Sequence, residues 1–334
     1  MRSTDHTAFR SEVAAFLEEW NSDTDTLQIH TSGSTGKPKE VRAEKKRMIA
    51  SARMTVDFLG LKPGDTALLC MPVRYIAGKM VIVRSVVAGL KLIAVTPSGH
   101  PLSDVDSAPD FAAMIPMQVF NSLHVAEERR KLMQIRQLII GGGAIDEKMA
   151  RELKRFPNAV WSTYGMTETL SHIALRRLSG PDASDWYTPM EGVDVSLSEE
   201  GTLVIHAPSV NPEILVTNDL AEFNGSGQFR ILGRRDNTIN TGGIKVQIED
   251  VEQRLKETIS TPLAVTSVPD EKLGERIVLL LQEPLPETEN LSRAIDSLPV
   301  YWRPKQILSV NEIPMTPTGK PDRARARSAA RNAR

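Results

Sequence analysis

A single cysteine, Cys70, occurs in the 334 residues. A disulfide within the chain and a cysteine-based zinc cluster are thereby excluded. Aromatics are scarce: 4 Trp, 4 Tyr and 8 Phe make up 5% of the residues, fewer than a base-stacking nucleic-acid platform uses. Net charge is nearly absent. The 41 Lys and Arg face 42 Asp and Glu for a formal −1, which argues against a wholesale polyanion binder. No long apolar run is present, since the longest, Met80 to Val95, is interrupted by Arg84 and Lys91 and cannot serve as a membrane span. The opening Met1–His6 is polar and lacks the apolar segment of a signal peptide. The expectation is a cytoplasmic, reduced protein that binds no nucleic acid and has no membrane span. What is present, 40% hydrophobic and 25% charged residues, is ordinary for a globular enzyme, and the length suggests roughly two domains.

Phe9, Val13, Phe16, Leu17 and Trp20 recur on one helical face. Leu27, Ile29 and Thr31 then alternate with Gln28 and His30, as in a strand. A helix is predicted from about Glu44 to Leu59, a strand at Thr66–Met71, a helix at Gly78–Ala88 and a strand at Lys91–Thr96. Leu138–Ile140 and Val160–Thr163 read as strands flanking a helix from Asp146 to Arg155. Strands alternating with helices imply parallel βαβ units. From about residue 187 hairpin texture takes over: Val193–Leu197 and Thr202–His206 flank Glu200-Gly201. After Asp236 come a glycine loop, a helix at Glu249–Glu257, and strands at Leu263–Val268, Ile277–Leu281 and Gln306–Val310. The boundary is placed at Asp236, giving domains 1–235 and 236–334. Residues 323–334 carry five Arg and no acid, read as a solvated last helix with a frayed tail.

The strongest local feature is Thr31-Ser32-Gly33-Ser34-Thr35-Gly36-Lys37-Pro38-Lys39, placed after a strand. Glycines let backbone N–H groups turn inward, hydroxyls donate and lysine adds charge, a combination suited to an anion. It is not a Walker A loop, because Pro38 stands where Ser or Thr would be needed. Tyr164-Gly165-Met166-Thr167-Glu168-Thr169 follows the strand Val160–Thr163, and open α/β sheets bind ligands at such strand ends. A tyrosine can stack on a purine, threonine can donate to phosphate and a carboxylate can hold magnesium. Gly141-Gly142-Gly143-Ala144 would let a flat ring lie on the backbone. Asp219, with Gly233-Arg234-Arg235-Asp236, supplies a carboxylate of the kind that grips ribose. Gly242-Gly243 precede a helix with Glu249 and Glu252, and Thr316-Pro317-Thr318-Gly319-Lys320-Pro321 presents Lys320 on a stiff loop.

In this order the motifs resemble those of the acyl-adenylate-forming (AMP-binding) superfamily, from about Leu27 to Arg323. The resemblance implies an α/β amino-terminal domain of mixed sheets and helices, truncated, followed by a small mobile α+β domain. It implies that Thr31, Ser32, Gly33, Ser34, Thr35, Gly36 and Lys37 cradle the ATP phosphates. Gly142, Gly143, Ala144 and Tyr164 would sandwich adenine, and Asp219 and Arg234 would hold ribose. Thr167 would touch the α-phosphate and Glu168 would bind Mg²⁺. Asp236 matches the hinge, Lys320 the mobile catalytic lysine, and Gly242 and Gly243 the route of coenzyme A. The loop begins at residue 31, so the expected form lacks an amino-terminal subdomain, and a homodimer is one arrangement open to it.

Met71-Pro72-Val73-Arg74-Tyr75-Ile76-Ala77-Gly78 occupies the segment that lines the acid pocket in this superfamily. Arg74 and Tyr75 stand where many members carry an aromatic residue and then histidine. Chains phrased this way resemble compact o-succinylbenzoate–CoA ligases of menaquinone synthesis, which consume ATP and coenzyme A. Their acid has a second carboxylate, and a buried carboxylate needs a cationic or multiply hydrogen-bonding partner. Arg74, Lys79 and Arg84 crowd this segment, and His172 and Arg176 follow the tyrosine motif. Arg74, Tyr75, Lys79 and His172 are the expected acid-binding set. Lys79 and Arg84 are spaced too awkwardly to share a helical face. A ligase for another aryl or acyl acid, or a non-catalytic nucleotide-binding relic, remains the alternative reading.

Overall fold

Phe9, Val13 and Phe16 are buried along one face of the first helix, α1 (Ser3–Asn21), as their spacing predicts. The structure, a computed structural model, describes residues 3–30, 40–143, 145, 147–316 and 321–333. Thr26–His30 (β1) pairs antiparallel with Glu40–Glu44 (β2), Leu27 opposite Ala43. The sequence reading placed Glu44 in the following helix. It instead ends β2 opposite Thr26, and its carboxylate accepts Arg47 Nε at 3.0 Å. Helix α2 (Lys45–Leu59) starts one residue later and buries Met48, Ser51, Ala52, Thr55 and Leu59 on a single stripe.

A seven-stranded sheet follows. Its strands are β3 (Thr66–Leu69), β4 (Lys91–Ala94), β5 (Phe111–Met114), β6 (Gln137–Ile140), β7 (Ala159–Gly165), β8 (His172–Arg177) and β9 (Thr188–Pro189). They lie in the order β4-β3-β5-β6-β7-β8-β9. The run from β4 to β7 is parallel, and β8 and β9 are added antiparallel. Central parallel strands are covered on both faces and therefore read as continuous apolar runs; every residue of β5 is buried. Helix α3 (Ile76–Ala88), between β3 and β4, is buried from Gly78 through Ser85, Lys79 and Arg84 included. Helices α4 (Pro116–Leu123), α5 (Ala126–Leu132) and α6 (Glu147–Leu153) connect β5, β6 and β7. Cys70, directly after β3, is fully buried, and burial pushes its thiol up to about 12. It is inert at neutral pH.

Strands β10 (Asp194–Leu197), β11 (Thr202–His206), β12 (Leu215–Phe223) and β13 (Phe229–Arg234) form a four-stranded sheet in that order. The chain divides into two compact units, and the division passes through this sheet. The second unit takes in residues 197–203, 216–222 and everything from Ile231. It contains the hairpin β14 (Thr238–Thr241) and β15 (Ile244–Gln247), helix α7 (Ile248–Lys256), the antiparallel pair β16 (Leu263–Asp270) and β17 (Gly274–Gln282), helix α8 (Thr288–Asp296), β18 (Gln306–Val310) parallel to β17, and helix α9 (Arg323–Asn332). Its main core is Ile239, Val246, Val251, Leu255, Val265, Leu279 and their neighbours. The arginine-rich last helix is not wholly solvated: Ala326 and Ala330 are buried with Ala264, Val268, Val278 and Leu280. Small residues every fourth position let it lie close to the sheet. Among the described residues no helix is long and apolar enough to cross a membrane.

Candidate active site

In the first unit the expected ligand residues gather at the carboxyl ends of β6 and β7. Gly141 donates its N–H to the Met114 carbonyl at 3.1 Å. A β-carbon at Gly141 would stand 2.4 Å from Thr163 Oγ1. Gly142 has φ +81°, and Gly143 lies against Pro116. Gly142 and Gly143 are exposed. Ala144, expected with them, lies outside the described residues, as do Thr31, Ser32, Gly33, Ser34, Thr35, Gly36, Lys37 and Lys320. Tyr164 is half-buried near the end of β7, edge-on to Phe229 at 5.3 Å and tilted against Tyr187 at 5.9 Å. The ring is thereby held in a fixed orientation.

Beyond β7 the chain makes one tight turn, Thr167–Thr169, that presents Thr167 and Glu168. Glu168 is exposed, and its carbonyl accepts from Asn211 Nδ2 at 3.0 Å. The organiser is Thr169, which the sequence reading included in the motif without a role. Its side chain is fully buried, accepts the Met166 N–H at 3.0 Å, and lies 3.0 Å from the Met166 carbonyl and 2.7 Å from the Ser171 carbonyl. The next residue, Leu170, has φ +62°, a left-handed backbone that a branched side chain adopts at a cost of about 1–3 kcal/mol. Its buried side chain and its N–H bond to the Thr167 carbonyl at 2.9 Å keep it there. Strain of this kind concentrates at functional turns.

The expected acid-binding residues separate into two places. Arg74 is exposed, stacked on the Tyr75 ring at 4.9 Å, and lines a cavity of about 320 Å³ with Ala8, Phe9, Glu12, Pro72, Thr96 and Pro97. Lys79 is buried with its ammonium 4.8 Å from the Phe16 ring of α1. Burial pulls its pKa down, against the pull of Glu19. His172 lies elsewhere, buried at the start of β8 with Arg84 and Ser171. Arg84, set aside on helical spacing, is one of the largest fully buried side chains, at 2% exposure. Its Nη2 donates to Ser171 Oγ at 2.5 Å, and its Nε has no hydrogen-bond partner. Among the described residues no carboxylate pairs with it. Burial pushes it down to about 9.

These bonds form a line with one direction. Ser171 Oγ, accepting from Arg84, is 3.3 Å from His172 Nδ1; His172 Nε2 is 3.1 Å from Thr55 Oγ1, which donates to the Ser51 carbonyl at 3.2 Å. Thr55 spends its hydrogen on Ser51, so it accepts from Nε2–H, and Nδ1 accepts from Ser171. A neutral imidazole satisfies both ends. Burial, and then the nearby Arg84 charge, keep His172 well below its ordinary pKa.

In the second unit Arg234 Nη1 lies 3.0 Å from Asp219 Oδ1, and its Nε and Nη2 fork onto Asp236 at 2.9 and 2.8 Å. The two expected ribose residues and the expected hinge residue are thus joined. The Asp236 bond is the main cause that raises the Arg234 pKa. Burial alone would lift Asp236, but Arg234 outweighs it and the carboxyl stays below its usual range. Gly242 (φ +59°) and Gly243 (φ +80°) are the two central residues of the β14–β15 hairpin, whose turn demands positive φ at both. Among the described residues no group of three or more His, Cys, Asp or Glu could hold a metal.

Comparison with known proteins identifies the family. The family model described as AMP-binding enzyme matches residues 4–219. A probable 2-succinylbenzoate–CoA ligase of Mycobacterium tuberculosis is 30% identical, covering 89% of this chain and 82% of that protein. An acyl-CoA synthetase (AMP-forming)/AMP-acid ligase II-like protein from Dyadobacter fermentans is 33% identical in its solved structure, with TM-score 0.66 over 99% of this chain and 95% of that one. An o-succinylbenzoate–CoA synthetase from Bacillus subtilis, in complex with its acyl-adenylate intermediate, shares the fold at TM-score 0.75, with 22% identity over 90% of this chain and 68% of that one. The chain belongs to the AMP-binding enzyme family, the AMP-forming acid–thiol ligases that its ordered motifs resemble.

Proposed function

We propose that this enzyme joins an acid to coenzyme A through an acyl-AMP, and that the acid is o-succinylbenzoate, giving the o-succinylbenzoyl-CoA of menaquinone synthesis. The observation that carries the choice of acid is Arg84. A buried cation with an unused N–H and, among the described residues, no carboxylate beside it is costly, and a substrate bearing a second carboxylate would supply such a partner. Ser171 and Leu170 tie this cation to the turn that presents Thr167 and Glu168. The succinylbenzoate names among the relatives support the same reading.

In the first half-reaction the substrate carboxylate attacks the α-phosphorus of ATP, and pyrophosphate leaves. In the second the coenzyme A thiol attacks the acyl carbon and AMP leaves. No protein nucleophile is needed, which suits the buried, inert Cys70. The protein contributes positioning and charge. Gly142, Gly143 and Tyr164 would hold adenine, Thr167 the α-phosphate, Asp219 and Arg234 the ribose, and Thr31–Lys37 the remaining phosphates. A magnesium ion would neutralise the phosphates, held by ATP oxygens with Glu168, since that ion is commonly bound through few carboxylates plus substrate phosphates. Lys320 would serve adenylation and, after a turn at Asp236 in the boundary region, give way to Gly242 and Gly243 for the thiol step. The test is pyrophosphate release and thioester formation with o-succinylbenzoate, its analogue lacking the ring carboxylate, benzoate and a medium-chain fatty acid. Preference for o-succinylbenzoate is the expected result. Preference for the analogue points to another aryl acid, and silence with every acid points to a non-catalytic nucleotide binder.

A further inference from the structure

Beside the Tyr164 ring stands a second tyrosine, Tyr187, for which the sequence reading had no role. Ser162 and Tyr164 are alternate residues of β7 and therefore share one face of the sheet. The register sets Ser162 opposite Arg176, and Tyr164 opposite Ala174, on β8. Tyr187 immediately precedes β9, on the far side of β8. Its hydroxyl lies 2.9 Å from the Ser162 hydroxyl, so the side chain spans β8 to reach β7. The Arg176 guanidinium lies 5.4 Å from its ring centroid and is itself held to Asp185 at 3.1 Å, a cation on a ring face.

Phe229 fixes Tyr187 from another direction. The two residues exchange backbone hydrogen bonds at 2.7 and 3.1 Å, and their rings stack at 5.6 Å with 23° between the planes. Phe229 is fully buried. Tyr187 is thus held at its backbone, on its ring and at its hydroxyl, whereas Tyr164 is half-buried and meets these two rings at 5.9 and 5.3 Å. A platform whose ring is already oriented does not lose that freedom when a ligand arrives. Ordering one such side chain on binding lowers affinity by roughly twofold to tenfold. We propose that Tyr187, fixed by Ser162 and Phe229, is a positioning residue for nucleotide binding, its ring holding Tyr164 in the orientation that receives adenine. The proposal rests on the reading of Tyr164 as the adenine platform.

The experiment is a cycle of Tyr187→Leu, Tyr164→Leu and the double variant in the full chain, read by calorimetric binding of AMP, which needs no acid. Tyr187→Leu should weaken AMP binding by about threefold to tenfold, the scale of one lost aromatic pair. In the Tyr164→Leu background the same substitution should change nothing further. In pyrophosphate release, KM for ATP should rise by the same factor, while KM for o-succinylbenzoate holds within about twofold. Tyr187→Phe, which keeps the ring, should bind AMP within about twofold of the unaltered protein. The proposal falls if Tyr187→Leu binds AMP normally, if its loss is the same with Tyr164 absent, or if KM for the acid rises equally. A Tyr187→Phe loss as large as that of Tyr187→Leu overturns the role of the ring. If Tyr164→Leu itself binds AMP normally, the adenine reading of Tyr164 falls and takes the proposal with it; if Tyr164→Leu is impaired and Tyr187→Leu is not, only the proposal falls. Tyr187→Met, which fills more of the space without a ring, replaces Tyr187→Leu should that variant not fold, with the same results expected and the same results overturning it.

Discussion

Arg84 donates to the Ser171 hydroxyl at 2.5 Å, across 87 residues of sequence, with no carboxylate paired to it among the described residues. A guanidinium in that position is poorly compensated until something anionic arrives. Removing one partner of a desolvated charge pair costs about 3–5 kcal/mol, and about 1.36 kcal/mol is a factor of ten. Arg84→Met is therefore expected to lower kcat/KM for o-succinylbenzoate by two to three orders of magnitude by this estimate. The analogue lacking the ring carboxylate should be nearly unaffected. Thermal stability should hold or rise, since an apolar chain of similar length replaces a buried cation. Equal losses on both acids would show that Arg84 does not read the second charge.

Thr169 closes the turn that carries Thr167 and Glu168. Thr169→Val keeps the shape and leaves the Met166 N–H without an acceptor, a loss of about 1–3 kcal/mol. The melting temperature should fall and acyl-AMP formation with it, while Thr169→Ser retains most of both. Denaturant titration beside the pyrophosphate assay measures the two effects. A Thr169→Val protein with unchanged stability would show that water replaces the hydroxyl.

His172 is held neutral, first by burial and then by Arg84. The unfolded chain binds the proton near pH 6.5 and the folded chain only well below it. The stabilising contribution is thus complete above about pH 6.5 and declines as pH falls toward the lower folded value, because there the unfolded state holds more protons. The slope is at most about 1.4 kcal/mol per pH unit for one group. Melting curves from pH 7.5 down to 5 should show this decline, and His172→Gln should flatten it. An unchanged slope in the variant would place the acid sensitivity in other groups.

Gly243 has φ +80° with open space where a β-carbon would stand. Steric blockage and backbone strain can therefore be separated. Gly243→Leu should cost about 1–2 kcal/mol of stability for the left-handed backbone, and Gly243→Asn less, since asparagine tolerates that region. If the turn lies on the thiol route, Gly243→Leu slows thioester formation from supplied acyl-AMP far more than Gly243→Asn does, with pyrophosphate release intact. Matching rates for the two variants would remove this turn from that route.

Much of the fold was legible because its signals are local. Apolar runs marked the β3, β6 and β7 strands, the spacing of Phe9, Val13 and Phe16 marked α1, and the Glu200-Gly201 signal fell between β10 and β11. β5, the antiparallel β8 and the hairpin partner β2 escaped, since pairing depends on a strand distant in sequence. The Tyr164–Glu168 and Gly141–Gly143 motifs came to the strand ends where they were expected, because a strand followed by a turn is itself a local statement.

Side-chain roles divided differently. The sequence by itself determined the ordered motifs, the turns that glycine makes possible and the apolar strands of the sheet, all set by backbone sterics and short-range periodicity. Only the tertiary structure decided which cations are buried and what surrounds them. Arg74 faces solvent and Lys79 the Phe16 ring, whereas Arg84 lies inside with Ser171 and His172. Helical spacing says which residues share a face but not what that face meets, and the cost of burying a charge is set by that environment. Glu252 and Arg323 make the same point: 71 residues separate them in sequence, and packing of α7 and α9 against β16 lets the guanidinium fork onto the carboxylate.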